Sequence, residues 1–291
     1  MTNALIKNMQ KKISKTTKFL FIGALLASVL ALVVWAASPV TDTFTDETKI
    51  ASKTNIFVDT TAGQVKLAES WSCGQPITDS RDGKEYATVL IGSQCWMAQY
   101  INYGTLTAGI NSQGSDCPSV AETEKYCYSD TESNCTSDGA LYQWAQAMCG
   151  AASCNGTGAP PDDACAIPVQ GICPSGWHIP SHYEYTTLER EVCTSGTCTS
   201  DFPYDESTTG WRGTDEGTKL KVGGSSGFEG LLAGDRGTNG SFDNRGAGAF
   251  IWSSLESGAD AWSRQLYSGY ATVRRLVFSK LYGFSVRCIK D

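Results

Sequence analysis

The chain has 291 residues, 41% of them hydrophobic, with 12 cysteines, 30 glycines and a formal net charge of −7. That acidic balance excludes a chain built to coat nucleic acid, because phosphate binding calls for clustered basic excess. The even, high cysteine count argues against a reducing compartment, where thiols stay free.

Residues 1–18 carry five lysines (Lys7, Lys11, Lys12, Lys15, Lys18) and no acid, and an apolar run without a charge extends from Phe19 to Ala37. A bilayer-spanning helix needs about 20 such residues, whereas the core of a cleavable signal has roughly 7 to 15. We read 19–37 as a retained transmembrane anchor and 1–18 as a cytoplasmic basic tail, since lysines stay on the cytoplasmic side. Val34-Trp35-Ala36 offers a cleavage site as the alternative, and either reading exports the chain beyond Ser38.

Residues 38–70 are rich in Thr, Asp, Ser and Lys and hold no cysteine, which describes a polar spacer with one or two weak strands. The head, 71–291, is long enough for one domain with a sizeable core, and its unperiodic glycines point to many loops. Taking the five tail lysines from 23 basic residues leaves 18 against 30 acids, so the exported part is near −12. After Asp260 the sign reverses: Arg264, Arg274, Arg275, Lys280, Arg287 and Lys290 face only Asp291. Such a basic strip would attract an acidic ligand or, more simply, keep strands soluble.

Within the head, "TSDGALYQWAQAMCG" predicts a helix with Leu141, Trp144, Ala145 and Met148 on one face, capped at Ser137/Asp138 and stopped by Gly150. "PSHYEYTTLEREVC" predicts a second, with a Ser181/Glu184 capping box and a buried stripe of Tyr185, Leu188 and Val192. That cap leaves His178 outside the helix, so His178 and His182 share no helical face for a metal. Strands are predicted in "KEYATVLIG" around Tyr86, Thr88 and Leu90, in "AFIWSS", and in "GFSVRCIK" with Phe284, Val286 and Cys288 on one face. Phe228 to Gly248 reads as a long glycine-rich loop.

All twelve cysteines lie in the head and none forms a C-x-x-C, so disulfides are expected rather than zinc. The close pairs Cys149/Cys154 and Cys193/Cys198 are spaced like stapled loops. No cofactor is expected. Asp235, Asn239, Asp243 and Asn244, or Asp79 and Asp82, offer oxygens for calcium, but neither group has EF-hand spacing.

Four blocks, "DGKEYATVLIGSQCWMAQYIN", "YCYSDTESNCTSDGALYQWAQAM", "GICPSGWHIPSHYEYTTLE" and "WSSLESGADAWSR...GFSVRCIKD", resemble in order the Fibrobacter succinogenes major paralogous domain. The resemblance implies a bacterial surface or secreted module, α+β and disulfide-rich, with a C-type-lectin-like fold of two helices, a twisted antiparallel sheet and long loops, here preceded by the transmembrane helix. Together with the anchor read over 19–37, this gives the expectation of a single-pass protein of a bacterial cell membrane whose C-terminal domain is extracellular or periplasmic. Such folds tie the last strand to an earlier segment, which makes Cys173 the expected partner of Cys288. Cys73 with Cys95, Cys127 with Cys135, Cys149 with Cys154, Cys193 with Cys198 and Cys117 with Cys165 would complete the set, although sequence does not fix connectivity. Trp96, Trp144, Trp177 and Trp252 are expected in the core, Gly92, Gly176 and Gly283 at turns or close packings, and His178 as a satisfied core histidine. Formylglycine-generating enzymes share the implied fold but work through a reactive cysteine pair near the C-terminus. This chain has Cys288 alone after Cys198, so no enzyme is expected.

Lectin-like folds bind through the loops and strands before the final strand, where Tyr267, Tyr270, Arg274, Leu276, Phe278 and Tyr282 would lie. Tyrosine and arginine are enriched in binding hot spots, while β-propensity alone would also place tyrosines on a half-buried face. The same stretch resembles the variable region of retroelement-diversified lectin-fold proteins, in which adenines of asparagine codons are rewritten. Tyr267, Gly269, Tyr270, Arg274, Leu276, Val277, Phe278, Ser279, Leu281 and Tyr282 are all reachable in that way. The expected function is ligand binding or adhesion at the cell surface, with an extracellular glycan or protein as partner and no nucleic acid. A structural envelope component without a defined ligand is the alternative, and an enzyme comes third.

Overall fold

The computed structural model describes residues 56–59, 64–67, 71–154 and 168–291. The chain divides into two units, Met1–Ser70 and Trp71–Asp291. In the first, β1 (Ile56–Asp59) and β2 (Gln64–Leu67) pair as an antiparallel hairpin within the stretch read as a spacer. The basic tail and the anchor expected over 19–37 lie outside the described residues. Among the described residues no helix is long and apolar enough to cross a membrane.

The second unit is α+β. It opens with β3 (Ile77–Thr78) paired to β4 (Glu85–Tyr86), β5 (Thr88–Ile91) paired to β6 (Gln94–Met97), and β7 (Thr105–Leu106) parallel to β8 (Glu124–Lys125). Then come α1 (Glu132–Asp138), β9 (Leu141–Tyr142), α2 (Trp144–Met148), β10 (Trp177–His178), α3 (His182–Val192), α4 (Cys198–Asp201), β11 (Gly210–Arg212) and α5 (Glu216–Leu220). The chain ends in β12 (Asp235–Arg236), β13 (Phe242–Asp243), β14 (Gly248–Ser257), β15 (Asp260–Tyr267), β16 (Val273–Ser279), β17 (Phe284–Ser285) and β18 (Ile289–Lys290). Two sheets dominate, one of six strands in the order β11-β16-β15-β14-β17-β9 and one of four in the order β10-β18-β6-β5.

The predicted capping box is present: Ser181 Oγ accepts from Glu184 N, Ser181 N donates to Glu184, and Tyr185, Leu188 and Val192 are buried. The other expected helix is broken. Helix α1 ends at the residues read as a cap, and Gly139 (φ +80) turns the chain where a Cβ would meet Tyr100 Cβ at 2.5 Å. Leu141 and Tyr142 then join the large sheet, which leaves α2 only five residues. Tertiary pairing here overrides an apolar pattern that suited one longer helix.

Two strand expectations and one loop expectation are extended or corrected. Tyr86 and Thr88 are buried, but the alternation breaks within β5 after Thr88, so Leu90 is 59% exposed and Ile91 is buried instead. "GFSVRCIK" splits: β17 joins the six-stranded sheet and β18 the four-stranded one, and Ser285, Arg287 and Ile289 are as buried as Phe284, Val286 and Cys288. Residues 228–248 are not simply a loop, since they hold the β12–β13 hairpin and bury Phe228, Ala233, Asp235 and Arg236. At Gly283 a Cβ would lie 2.9 Å from Arg236 Cβ, a close approach of the expected kind.

Two apolar cores flank the large sheet. One gathers Tyr185, Leu188 and Val192 of α3 with Trp96, Phe202, Ile251, Leu266 and Val273. The other collects Trp144, Trp177, Phe250, Trp252 and Phe284 around Cys127, Cys135, Cys173 and Cys288. All four tryptophans expected in the core are buried.

Disulfides join Cys73–Cys95, Cys127–Cys135, Cys173–Cys288 and Cys193–Cys198, as expected. Two expected pairs are corrected: Cys117 bonds Cys149, at a Cα separation of 5.2 Å, rather than Cys165 or Cys154 being the partners. The reason is that the segment before Cys117 returns along α2, where Gln146 Nε2 donates to Asp116 O at 2.7 Å. Cys154 is also disulfide-bonded, and Cys165 lies outside the described residues.

Candidate binding face

The register of the large sheet sorts the C-terminal residues onto two faces. One cross-strand row runs Trp211, Arg274, Gln265, Phe250, and the next runs Gly210, Arg275, Arg264, Ile251. Because side chains alternate along a strand, these adjacent rows point to opposite faces.

The second row faces α3. Glu189 of that helix, fully buried, accepts from Arg264 Nε at 2.6 Å and from Arg275 Nε at 2.9 Å, with a further contact to Arg275 Nη2. Burial, only partly offset by Glu189, pushes Arg264 down to about 10. His182 lies against Arg264, and burial with the two arginine charges holds it well below the usual histidine range. Arg287 is buried too, its guanidinium 4.3 Å from the Tyr100 ring and 4.4 Å from that of Phe228, donating to Met97 O, Phe228 O and Glu229 O. The basic strip read from the sequence is therefore largely interior. Lys280 pairs with Glu256 and Lys290 donates to Gly176 O, so Arg274 is the member left on the outer side.

The first row carries the exposed chemistry. Trp211 and Tyr270 stack at 4.0 Å with planes 5° apart, and they are 36% and 50% exposed. Tyr267 meets both edge-on, at 5.6 Å and 6.2 Å, and its other neighbour is Phe250 at 5.6 Å. The Arg274 guanidinium stands 5.6 Å from the Trp211 ring. Burial raises the Tyr267 hydroxyl above the usual tyrosine range, opposed by the Arg274 charge. Behind the β15–β16 turn, Lys221 Nζ donates to Tyr267 O at 2.8 Å and Tyr270 O at 2.7 Å, and Thr218 N donates to Ala271 O at 3.0 Å. The turn is thus held from the α5 side. An open groove of ≈ 460 Å³ lies there, lined by Lys221, Val222, Leu231, Leu232 and Ser268 among others.

Of the six residues expected to bind, Tyr267, Tyr270 and Arg274 come together. Phe278 and Tyr282 pack instead with Phe284, at 5.5 Å and 5.6 Å, against the core, and Leu276 is half-buried between the two groups. Trp211, which sequence reasoning missed, completes the cluster from a strand more than fifty residues upstream. Its only signal was a lone tryptophan in the polar, glycine-flanked run "TTGWRGTD".

The groups weighed for metal have other partners. Asp79 holds Arg81, Asp82 holds Lys84, Asp235 accepts from Asn244 Nδ2, and Asp243 accepts from Ser241 Oγ. Burial raises Asp235 to about 6. Among the described residues no three His, Cys, Asp or Glu side chains gather as metal ligands. His178 sits on β10 between Glu184 and Asp291, each at 2.7 Å.

Fold and site together define a disulfide-stapled α+β domain with one aromatic and arginine-bearing face beside its C-terminal strands. The model of the Fibrobacter succinogenes major domain matches residues 89–290, from β5 to the last strand, and the chain belongs to that family. No curated protein and no solved structure matches it.

Proposed function

We propose that this protein is a cell-surface binding or adhesion protein whose head takes an extracellular ligand on the Trp211, Tyr267, Tyr270 and Arg274 face. The observation that carries this reading is the Trp211–Tyr270 stack, two large rings packed on each other and left exposed beside a cation. Rigid aromatics give much contact area at little entropic cost, and a face braced by Lys221 and α5 is already organised for binding. In this reading the scaffold is C-type-lectin-like, the 19–37 segment anchors it in the bacterial membrane, and the ligand is met outside. The role is binding rather than catalysis, consistent with Cys288 being locked to Cys173.

The test is an array of glycans and envelope proteins probed with full-length protein in detergent. We expect a saturable signal that Trp211→Ala and Tyr270→Ala each reduce about tenfold or more, as hot-spot aromatics do. A signal indifferent to both substitutions overturns the reading in favour of a structural envelope component. Diversification of the face is tested separately by sequencing codons 267–282 across one population. Variation confined to the ten patchwork positions supports it, and a fixed sequence ends it.

A further inference from the structure

The chain has nine arginines, and eight of them hold a carboxylate or a backbone carbonyl on the guanidinium. Among the described residues Arg274 holds neither. Its Nη1 donates to Gln265 Oε1 at 3.4 Å, its guanidinium neighbours the Tyr267 hydroxyl, and its Nε is buried without a partner. Gln265, its cross-strand neighbour, is fully buried and its Nε2 is likewise unpaired. Folded proteins leave few buried N–H groups unsatisfied, and two side by side mark an unmet demand for acceptor oxygens. They lie in the same cross-strand row as Trp211, beside the most exposed aromatic surface of the face.

We infer that the face is a seat for an acidic sugar of the uronate type. The sugar ring lies against the exposed side of the Trp211–Tyr270 stack and its carboxylate takes the Arg274 guanidinium, to which Gln265 is hydrogen-bonded. This rests on the reading of the face as a ligand site. A carboxylate supplies both things Arg274 lacks, acceptor lone pairs and a countercharge, and its geometry matches the planar fork of arginine. The C–H face of a sugar ring suits the electron-rich face of an aromatic ring. The size of the exposed surface favours a sugar over a protein. Two stacked rings leave little more than one ring face open, which with one charge covers one or two sugar units, whereas a stable protein interface occupies about 800 Å² per partner. The chain is acidic overall, so an acidic ligand binds only where a cation stands unneutralised.

Titration calorimetry of full-length protein in detergent with trigalacturonate, galactotriose and triglutamate tests this. We expect trigalacturonate to bind saturably and galactotriose about tenfold or more weakly. Arg274→Ala lowers the affinity for trigalacturonate by the same factor and leaves that for galactotriose unchanged, while Arg274→Lys, which keeps the charge and loses the fork, falls between. Trp211→Ala weakens both sugars. Equal binding of the two sugars, unaffected by Arg274→Ala but lost in Trp211→Ala, overturns the carboxylate inference and leaves the binding face standing. Arg274-dependent binding of triglutamate without binding of either sugar overturns the sugar and identifies an acidic peptide. If neither sugar binds in a Trp211-dependent way, the inference fails, and the array experiment decides the face independently. Should Arg274→Ala not fold, as its melting curve would show, the Arg274→Lys series carries the same comparison.

Discussion

Glu189 is the residue on which the interior of the sheet depends. It is the single carboxylate shared by Arg264 and Arg275, all three buried. Removing the charge from such a triad leaves two uncompensated cations in a medium that solvates them poorly. We expect Glu189→Gln to destabilise the domain by about 3 to 5 kcal/mol in denaturant titration, far beyond the same change at an exposed glutamate. A loss below about 1 kcal/mol would show that the arginines find other acceptors. His178 gives a pH dependence with a definite sign. Burial alone lowers its pKa, but the hydrogen bonds and charges of Glu184 and Asp291 outweigh that and raise it above the ordinary 6.5. A group with a raised folded pKa contributes fully below its unfolded pKa and loses that contribution as pH rises through the folded value. The melting-temperature gap between wild type and His178→Gln should therefore be widest below about pH 6.5 and shrink as the pH rises from there through the folded value. A gap constant across that window would mean His178 is not charged in the fold.

Among the elements, the disulfides differ in what they constrain. Cys173–Cys288 closes a separation of 115 residues and ties β18 to the segment before β10, whereas Cys193–Cys198 closes only five. In the chain-entropy account the first contributes about 5 kcal/mol and the second about 2 kcal/mol. Paired Cys→Ser substitution should rank them in that order by denaturation midpoint, and the reverse order would mean native-state packing, not loop closure, sets the values. The broken helix at 132–148 shows a related point. Its apolar spacing is helical, but Gly139 and the pairing of β9 with β17 divert it, because a strand position beside Phe284 buries Leu141 and Tyr142 completely.

For the molecule as a whole, the large sheet is a wall common to two cores: Ile251, Leu266 and Val273 face one, Phe250, Trp252 and Phe284 the other. Neither core can open while the other keeps its strands. Calorimetry on the oxidised protein should thus show one transition for the head, with calorimetric and van't Hoff enthalpies in agreement. Two resolved transitions would mean the cores unfold separately.

The sequence by itself determined the features that depend on neighbours along the chain. The capping box of α3 and its stripe were legible because 3.6-residue periodicity is written locally. So were the buried tryptophans and the short Cys193–Cys198 staple, while the family blocks pointed to Cys173–Cys288. Tertiary structure decided everything that depends on which strands meet. It moved Cys117 to Cys149, and it sent Arg264, Arg275 and Arg287 inward, because a one-residue step along a strand changes the face and sequence does not say which face is covered. It also brought Trp211 onto Tyr270 and left Arg274 without a countercharge among the described residues. That juxtaposition rests on the pairing of β11 with β16, strands more than fifty residues apart, and no local pattern encodes it.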